Sequence, residues 1–239
     1  MQLITLPDKS TVIRSSVRIQ LGCDMARKPQ QKRAKVTVET IIEAGFISVA
    51  QSGIEGTTTR QIAEIAGIGV GSLYEYFTNK EDIYDAMSQH FVNEVLKMLR
   101  DSTDELVRMS LEDLVRKMLI QFSDLLQKNE GRYLKCIRYA GHFEYARYAQ
   151  QVESALTEIV MRYVMMNPQY LRLPDIATMS YICINGGIFT VIRQLSFPSH
   201  VVSFDGLVNG LCRMISSYVD AEMAALGGTG ELAKPPEAT

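Results

Sequence analysis

Apolar residues recur at steps of three and four along most of the 239-residue chain, which is the period of an amphipathic helix. The clearest stripe runs through Ile83, Met87, Phe91, Val95 and Leu99. No stretch of useful length alternates apolar and polar residues, so we predict no strand. The pattern therefore predicts an all-α fold of about nine helices, arranged as a small N-terminal three-helix head and a larger helical body.

Breaks between these stripes set the predicted helix boundaries. Glycine or proline interrupts the pattern at Gly67, Pro168 and Pro198, and Ser110 and Ser203 are placed to cap the helices that follow them. We predict helices at about residues 33–52, 58–66, 69–77, 80–99, 110–126, 130–142, 143–166, 176–195 and 203–226.

The segment from residue 57 to 80 carries the most informative pattern. Thr58 can cap a helix, and Gln61, three residues later, completes a capping box. Gly67 can end this helix in the left-handed conformation, and a second short helix follows from about Gly69. Two helices joined by a short turn that contains glycine form the hairpin that reads DNA. The segment therefore predicts a helix-turn-helix whose second helix lies in the major groove.

This segment resembles the DNA-binding head of the TetR family of bacterial repressors. The family pattern runs roughly T-x-x-x-I-A-x-x-A-G-V-S-x-G-x-L-Y-x-H/Y-F-x-x-K, and the chain matches it at Thr58, Ile62, Ala63, Ala66, Gly67, Ile68, Gly69, Gly71, Leu73, Tyr74, Tyr76, Phe77 and Lys80. The resemblance implies that bases and phosphates are contacted by Thr59, Arg60, Val70, Gly71, Ser72, Tyr74, Tyr76 and Lys80. Taken singly, each of these residues is equally compatible with a structural role. Their occurrence in one register favours DNA binding.

One position departs from the family pattern. Gly69 stands where the family often has Ser, and glycine still caps a helix at a penalty of a few tenths of a kcal/mol. The missing hydroxyl removes one possible phosphate contact.

Charge is distributed unevenly along the chain. Residues 1–35 hold eight Lys and Arg against two acidic residues, so this segment carries +6 and the remainder −8 within an overall charge of −2. A basic arm beside a DNA-reading hairpin favours phosphate contacts whose strength falls with salt. A solvated basic tail would have the same composition.

These features divide the chain into four predicted segments. They are an extension and basic arm without fixed structure at 1–32, a DNA-binding domain at 33–93 with its motif at about 57–76, a ligand-binding and dimerisation domain at 94–226, and a flexible tail at 227–239. Met25 followed by Ala26 and two basic residues is typical of a natural start. We hypothesise that residues 1–24 are an upstream extension or follow from a mis-set start codon, which N-terminal sequencing of the native protein would test.

The last two predicted helices, at about 174–195 and 203–226, are apolar on more than one face, and Gly186 and Gly187 allow close helix approach. The resemblance implies that these helices pair with the same helices of a second subunit. Such a homodimer would place two heads on a pseudo-palindromic DNA site. Burial of both helices within one body would give the same pattern.

The resemblance also implies a small-molecule effector, largely apolar, in the body. Methionine and aromatic side chains suit an adaptable pocket with few polar groups. The candidate lining residues are Met118, Phe122, Tyr139, Phe143, Tyr163 and Met166. An ordinary helical core uses the same residue types, so the pattern leaves this assignment open.

Other classes of function find little support in the sequence. His90, His142 and His200 show no metal-ligand spacing, and no Gly-rich phosphate loop, nucleophile elbow or CxxC motif occurs. We therefore predict no catalytic residue, no metal, no cofactor and no enzymatic activity. Four cysteines without paired spacing favour a reducing, cytoplasmic environment, and no apolar run reaches the length of a membrane span.

The sequence thus predicts a DNA-binding transcriptional regulator, in the first place a repressor that binds its operator as a dimer and is released by an effector. Two alternatives stay open. One is a helical ligand- or partner-binding protein that has lost DNA reading, and the other is a small-molecule enzyme on an all-α scaffold. Operator binding would exclude the first alternative, and turnover of a bound metabolite would reveal the second.

Overall fold

The computed structural model describes the backbone of residues 24–138 and 145–228. Over these two ranges the secondary structure is helical, and the predicted all-α fold is confirmed. Its eight α-helices are α1 (Asp24–Gly56), α2 (Thr59–Ile65), α3 (Val70–Tyr74), α4 (Lys80–Leu106), α5 (Leu111–Ile137), α6 (Tyr145–Met166), α7 (Ile176–Ser196) and α8 (Phe204–Gly228), with a 3-10 helix at Pro168–Arg172. The predicted site residues Tyr139 and Phe143 and most of the predicted tail lie outside the described residues.

Helix α1 begins upstream of the predicted residue 33 and contains a break at Gly53, where φ is 71° and ψ is 175°. Glycine adopts a positive φ without the steric cost that a Cβ imposes, and the break falls where we expected the first core helix to end. Residues 26–35 are rich in Ala, Lys, Arg and Gln. Because these are strong helix formers, part of the predicted unstructured arm is helical.

The chain divides into two compact units, Met1–Val38 and Glu39–Thr239. In the first unit, the Thr37 hydroxyl donates to the carbonyl of Arg33 at 3.0 Å. Helices α2 to α8 belong entirely to the second unit. Within that unit α4 packs mainly on α6, whereas α5 packs on α7 and α8.

Helix α4 continues to Leu106, one to two turns past the predicted end at Leu99. Two polar residues in this extension, Ser102 and Thr103, are buried. Because they interrupt the apolar pattern, the sequence predicted that the helix ends at Leu99. The Thr103 hydroxyl donates to the Leu99 carbonyl at 2.6 Å, and the Ser102 hydroxyl donates to the Met98 carbonyl at 2.8 Å. Because both hydroxyls are satisfied within the helix, α4 runs unbroken from the head into the body.

Helix α5 is interrupted between Lys128 and Gly131. Asn129, Glu130 and Gly131 have φ values of 53°, 61° and 69°. Left-handed backbone costs a non-glycine residue about 1–2 kcal/mol, so the tertiary contacts on either side hold this break in place. We predicted separate helices at 110–126 and 130–142, and the non-helical residues Lys128 to Gly131 fall at the boundary between them; the second helical stretch is described up to Ile137.

Helix α7 is long and apolar, with a mean hydropathy of 1.3 over an 18-residue window of which 17% is buried. By length and composition alone this one helix, among the described residues, could cross a membrane; a core helix of a soluble protein passes the same test. Its polar side chains bond within the helix, since Asn185 donates to the Tyr181 carbonyl and Thr190 to the Gly186 carbonyl. Helix α7 therefore presents a largely apolar and uncovered face.

Candidate nucleic-acid interface and internal cavity

The start of α2 is fixed by the capping box predicted from the sequence. The Gln61 backbone N–H donates to the Thr58 hydroxyl at 3.2 Å, and the Thr58 backbone N–H donates to the Gln61 side-chain oxygen at 3.1 Å. Two otherwise unpaired donors of the helix N-terminus are thereby satisfied. The cap sets the direction in which α2 leaves α1, and with it the position of Arg60.

The turn between α2 and α3 depends on one left-handed residue. Gly67 has φ of 68°, and the next residue, Ile68, donates its N–H back to the Ala63 carbonyl at 3.0 Å. Helix α3 then begins after Gly69 and buries Leu73 completely. This arrangement is the helix C-cap that glycine favours, and it holds α2 and α3 against each other as a hairpin.

Helical spacing predicts a buried stripe of Ile62, Ile65 and Ala66 on α2, but the structure buries Ile62 and Ala63 and leaves Ala66 half-buried. Ile62 and Ala63 are fully buried, whereas Ile65 is 39% exposed. At 3.6 residues per turn, Ile65 lies roughly 110° around the helix from the centre of the buried pair. Ile65 is therefore a surface residue.

The predicted DNA contacts occupy the outer side of the hairpin. Arg60, Gly71 and Ser72 are exposed, and Val70, Tyr74 and Tyr76 are exposed by 37%, 51% and 38%. Thr59 and Lys80 are half-buried. The hydroxyls of Thr59 and Tyr74 lie 3.1 Å apart and share a hydrogen bond, which ties the first turn of α2 to the end of α3. The tyrosine ring is thus oriented on the surface before any ligand is bound.

The first turn of α4 carries two acidic residues, Glu81 and Asp82. Asn79 caps the helix by accepting from the Asp82 N–H at 2.8 Å, and the Asp82 carboxylate accepts from the Thr78 N–H at 3.0 Å. One N–H of the first turn of α4, that of Asp82, is thus already paired within the chain. Lys80 remains the positive side chain available at this end.

A cluster of aromatic rings connects the head to the region after the α5 break. The Tyr133 ring packs edge-on against Phe46 of α1 with centroids 5.0 Å apart, and against Phe91 of α4 at 5.3 Å. Its hydroxyl lies 3.3 Å from Nε2 of His90. An ion pair between Arg132 and Glu43 flanks the cluster. Sequence reasoning missed this junction because its members are more than 40 positions apart along the chain.

The body contains a cavity of about 200 Å³ between the helices α4 to α8. Helix α4 contributes Val95, Met98 and Leu99 to its wall. The same helix begins at Lys80 in the head, so one rigid element joins the cavity to the hairpin.

Three of the predicted cavity residues, Met118, Phe122 and Tyr163, line this cavity. Met166 does not, and its side chain is 59% exposed. It is the last residue of α6, beyond the buried stripe that ends at Val164, so no helix covers it.

Metal and thiol chemistry find no site in the described ranges. Within residues 24–138 and 145–228 no group of three His, Cys, Asp or Glu is placed to hold a metal ion. Burial raises the pKa of the Cys136 thiol to about 12. At neutral pH this cysteine is a protonated core residue.

The capped hairpin with its exposed polar face, set on a larger helical body, defines an all-helical protein with a helix-turn-helix head. Residues 41–87 match the family model described as bacterial regulatory proteins, tetR family. The resemblance inferred from the motif is thereby confirmed for this segment.

Curated relatives match part of this chain. The HTH-type transcriptional regulator TtgR of Pseudomonas putida is 32% identical over 105 residues, which cover 43% of this chain and 48% of the relative. The HTH-type transcriptional repressor KstR2 of Mycobacterium tuberculosis is 36% identical over 64 residues, covering 27% and 32%. The chain thus spans half or less of the length of these relatives.

Solved structures extend the similarity to the body. A transcriptional regulator from Rhodococcus sp. Rha1 superposes with a TM-score of 0.61 at 16% identity, over 77% of this chain and 96% of that one. A TetR-family transcriptional regulator from Streptomyces coelicolor gives 0.54 at 17% identity, over 77% and 98%. At these identities the similarity shows the fold alone.

Proposed function

We propose that the protein is a cytoplasmic DNA-binding transcriptional regulator, a repressor that binds a pseudo-palindromic operator as a homodimer and is released by a small molecule. The observation that carries the proposal is the family-matched hairpin with Arg60, Ser72, Tyr74 and Tyr76 exposed on its outer side. No reaction is assigned to it, and the relatives named above are regulators.

In this proposal α3 enters the major groove. Its first residues, Val70, Gly71 and Ser72, approach the base edges, where an exposed valine suits a thymine methyl and a serine hydroxyl suits several bases. The tyrosine hydroxyls and Lys80 bind phosphates and fix the register of the helix. Arg60, in the first turn of α2, contributes to sequence discrimination.

The homodimer is supported by an apolar surface on α7 and α8. Tyr181, Ile182 and Phe189 of α7 are exposed by 64%, 52% and 69%, and Met214 of α8 by 56%. Large apolar side chains grouped on long helices favour burial against a second copy. Two heads would then meet major grooves about 34–36 Å apart.

The effector would act through helices that reach both regions. Cavity residues of α4 and the Tyr133 junction of α5 give a bound molecule two routes to the head. For release to occur, the molecule must bind the state with misplaced heads more tightly than the DNA-bound state.

The proposal is tested by fluorescence anisotropy with DNA from the flanking upstream region. We expect two chains per operator and an affinity that falls steeply with salt. Arg60→Ala should reduce discrimination between operator and altered sites by about 1–3 kcal/mol, whereas Lys80→Ala should weaken binding to all sequences alike.

Arg108→Ala is the matched control, since this exposed arginine lies beyond the end of α4, distant in sequence from the hairpin. Arg108→Ala should leave both the sequence discrimination and the overall affinity for DNA unchanged. If Lys80→Ala alters sequence preference and Arg60→Ala does not, the assigned roles are wrong, and absence of salt-dependent DNA binding would overturn the function itself.

A further inference from the structure

The wall of the internal cavity is apolar and uncharged. Its lining residues, as far as the structure describes them, include no Lys, Arg, His, Asp or Glu. The polar atoms of its side chains are the hydroxyls of Tyr163, Tyr170 and Ser180 and the thiol of Cys183. A charged ligand would therefore lose its hydration here without gaining a counter-charge.

Basic residues that neighbour the lining in sequence are exposed, as at Lys97, Arg100 and Arg172, or are paired elsewhere. Lys117, which precedes the lining residue Met118, forms an ion pair with Glu105. Arg162, which precedes Tyr163, binds Asp104 at 2.6 Å. These contacts hold the cations outside the cavity.

Arg116 is engaged in the same way on α5. Its guanidinium donates to Glu112 at 2.8 Å and to Asn209 of α8 at 2.5 Å. Both partners lie outside the cavity lining. No cation on this stretch of α5 is therefore directed at a bound molecule.

The two tyrosines supply the principal polar feature of the wall. Their rings are stacked, with centroids 5.9 Å apart and planes at 23°. Burial, with the neighbouring Tyr170 as a further cause, raises the pKa of Tyr163 to about 12. The Tyr163 hydroxyl is therefore protonated at physiological pH, and a phenol O–H can donate a hydrogen bond to a ligand.

The Ser180 hydroxyl offers no second donor. It donates to the Ile176 carbonyl within α7 at 2.6 Å. The tyrosine pair is thus the main hydrogen-bond donor that a ligand in this cavity would meet.

We propose that the effector is an electrically neutral, compact and largely apolar molecule with one hydrogen-bond acceptor, such as a ketone or an ether oxygen, directed at the Tyr163–Tyr170 pair. Its regulatory role rests on the function proposed above. The volume of about 200 Å³ suits a molecule somewhat larger than benzene, which fills an engineered cavity of about 150 Å³.

The test uses four probes of similar size on the full chain without DNA. They are acetophenone, ethylbenzene, benzoate and 2-phenylethylammonium, and their binding is measured by displacement of the neutral dye N-phenyl-1-naphthylamine at pH 7. We expect acetophenone to bind most tightly, and both ions to bind at least about tenfold more weakly because their charge is desolvated without a partner. If either ion binds as tightly as acetophenone, or if none of the four displaces the dye, the proposal is overturned.

Two variants test whether the tyrosine hydroxyls are the hydrogen-bond donors to the ligand. Tyr163→Phe/Tyr170→Phe should abolish the preference for acetophenone over ethylbenzene, whereas the matched control Ser180→Ala should retain it, since that hydroxyl is already bonded to the backbone. Retention of the preference in the double variant would contradict the proposal. Thermal melts of each variant establish that it is folded.

The dye-displacement titration and the DNA-binding experiment test the ligand class and the proposed function independently of each other. Loss of operator binding would overturn the proposed function and leave the selectivity of the cavity as measured. Binding of ions by a protein that still recognises its operator would overturn only the ligand class.

Discussion

The head and the cavity region are both built from helices, yet they use their side chains in opposite ways. In the hairpin, short helices bury few residues and expose arginine, serine and tyrosine at fixed spacing. In the body, long helices turn their apolar side chains inward and leave a space between them. In the proposed function, the head recognises DNA through side chains exposed on its surface, whereas the body recognises a ligand through the cavity between its helices.

The packing around two glycines, Gly45 in the head and Gly187 in the body, illustrates this difference. A Cβ added to Gly45 of α1 would lie 2.6 Å from the sulfur of Met87 and 3.2 Å from Ile83 on α4, and both of those side chains are fully buried. A Cβ added to Gly187 of α7 would meet Leu119 at 3.5 Å, an ordinary contact at the cavity wall. The glycine in the head allows close helix packing, whereas the one in the body borders free space.

The largest effect is expected from placing leucine at these two sites. Gly45→Leu should lower the free energy of unfolding by about 2–3 kcal/mol, because the side chain overpacks a filled core. Gly187→Leu should remain within about 1 kcal/mol of the parent or exceed it, since leucine favours the helix by nearly that amount and enters the cavity. Urea unfolding followed by circular dichroism measures both.

Gly187→Ala is the control for helix propensity, because its Cβ fits without entering the cavity deeply. Gly187→Leu, unlike the alanine variant, should also prevent dye binding. Equal destabilisation by leucine at positions 45 and 187 would show that the body is as tightly filled as the head, and the contrast would fail.

A smaller effect is expected at the junction that joins the two regions. Tyr133→Phe keeps the ring contacts with Phe46 and Phe91 but removes the hydrogen bond to His90. We expect a loss of about 1 kcal/mol in stability. We also expect a several-fold reduction in the factor by which acetophenone weakens DNA binding, since residues between coupled sites change coupling by about 0.5–2 kcal/mol.

Tyr148→Phe provides the comparison, because that hydroxyl donates to Asp85 of α4 from α6 at 2.9 Å. Anisotropy titrations with and without acetophenone give the coupling for each variant. If Tyr148→Phe lowers it as much as Tyr133→Phe, general loosening of α4 explains the effect, and the α5 junction has no particular role.

Local rules explain why the head was the more predictable region. The capping box at Thr58, the left-handed Gly67 and the buried Leu73 each follow from residues within a few positions of one another. The last residue of α6, both ends of α7 and the start of α8 were also predicted to within about two residues, for the same reason.

What the sequence did not predict depends on distant residues. The break at Asn129 and Glu130 falls at the predicted boundary between the helices at 110–126 and 130–142, but the partners of Tyr133 come from helices far away in the sequence. Membership of the cavity wall likewise depends on how helices α4 to α8 are arranged, which is why Met166 was misplaced while Phe122 and Tyr163 were not. Periodicity identifies the inward face of a helix but not whether that face meets another side chain or a space.

The smallest expected effect concerns the one departure of the hairpin from its family pattern. Gly69 caps α3 with φ of −68° and ψ of 146°, makes no side-chain cap hydrogen bond, and has open space where a Cβ would be. Gly69→Ser should therefore fit without strain and stabilise the protein by a few tenths of a kcal/mol, because a serine hydroxyl can accept from an N–H of the first turn.

Gly69→Ala isolates the hydroxyl, since alanine takes the same backbone conformation but is a much poorer cap. The serine variant should be more stable than the alanine variant in urea unfolding, and it should bind DNA more tightly by a single added phosphate contact, with the dye-binding constant of the body unchanged. A serine variant that binds DNA no better than alanine would place position 69 away from the phosphates, and the register proposed for α3 in the major groove would have to shift.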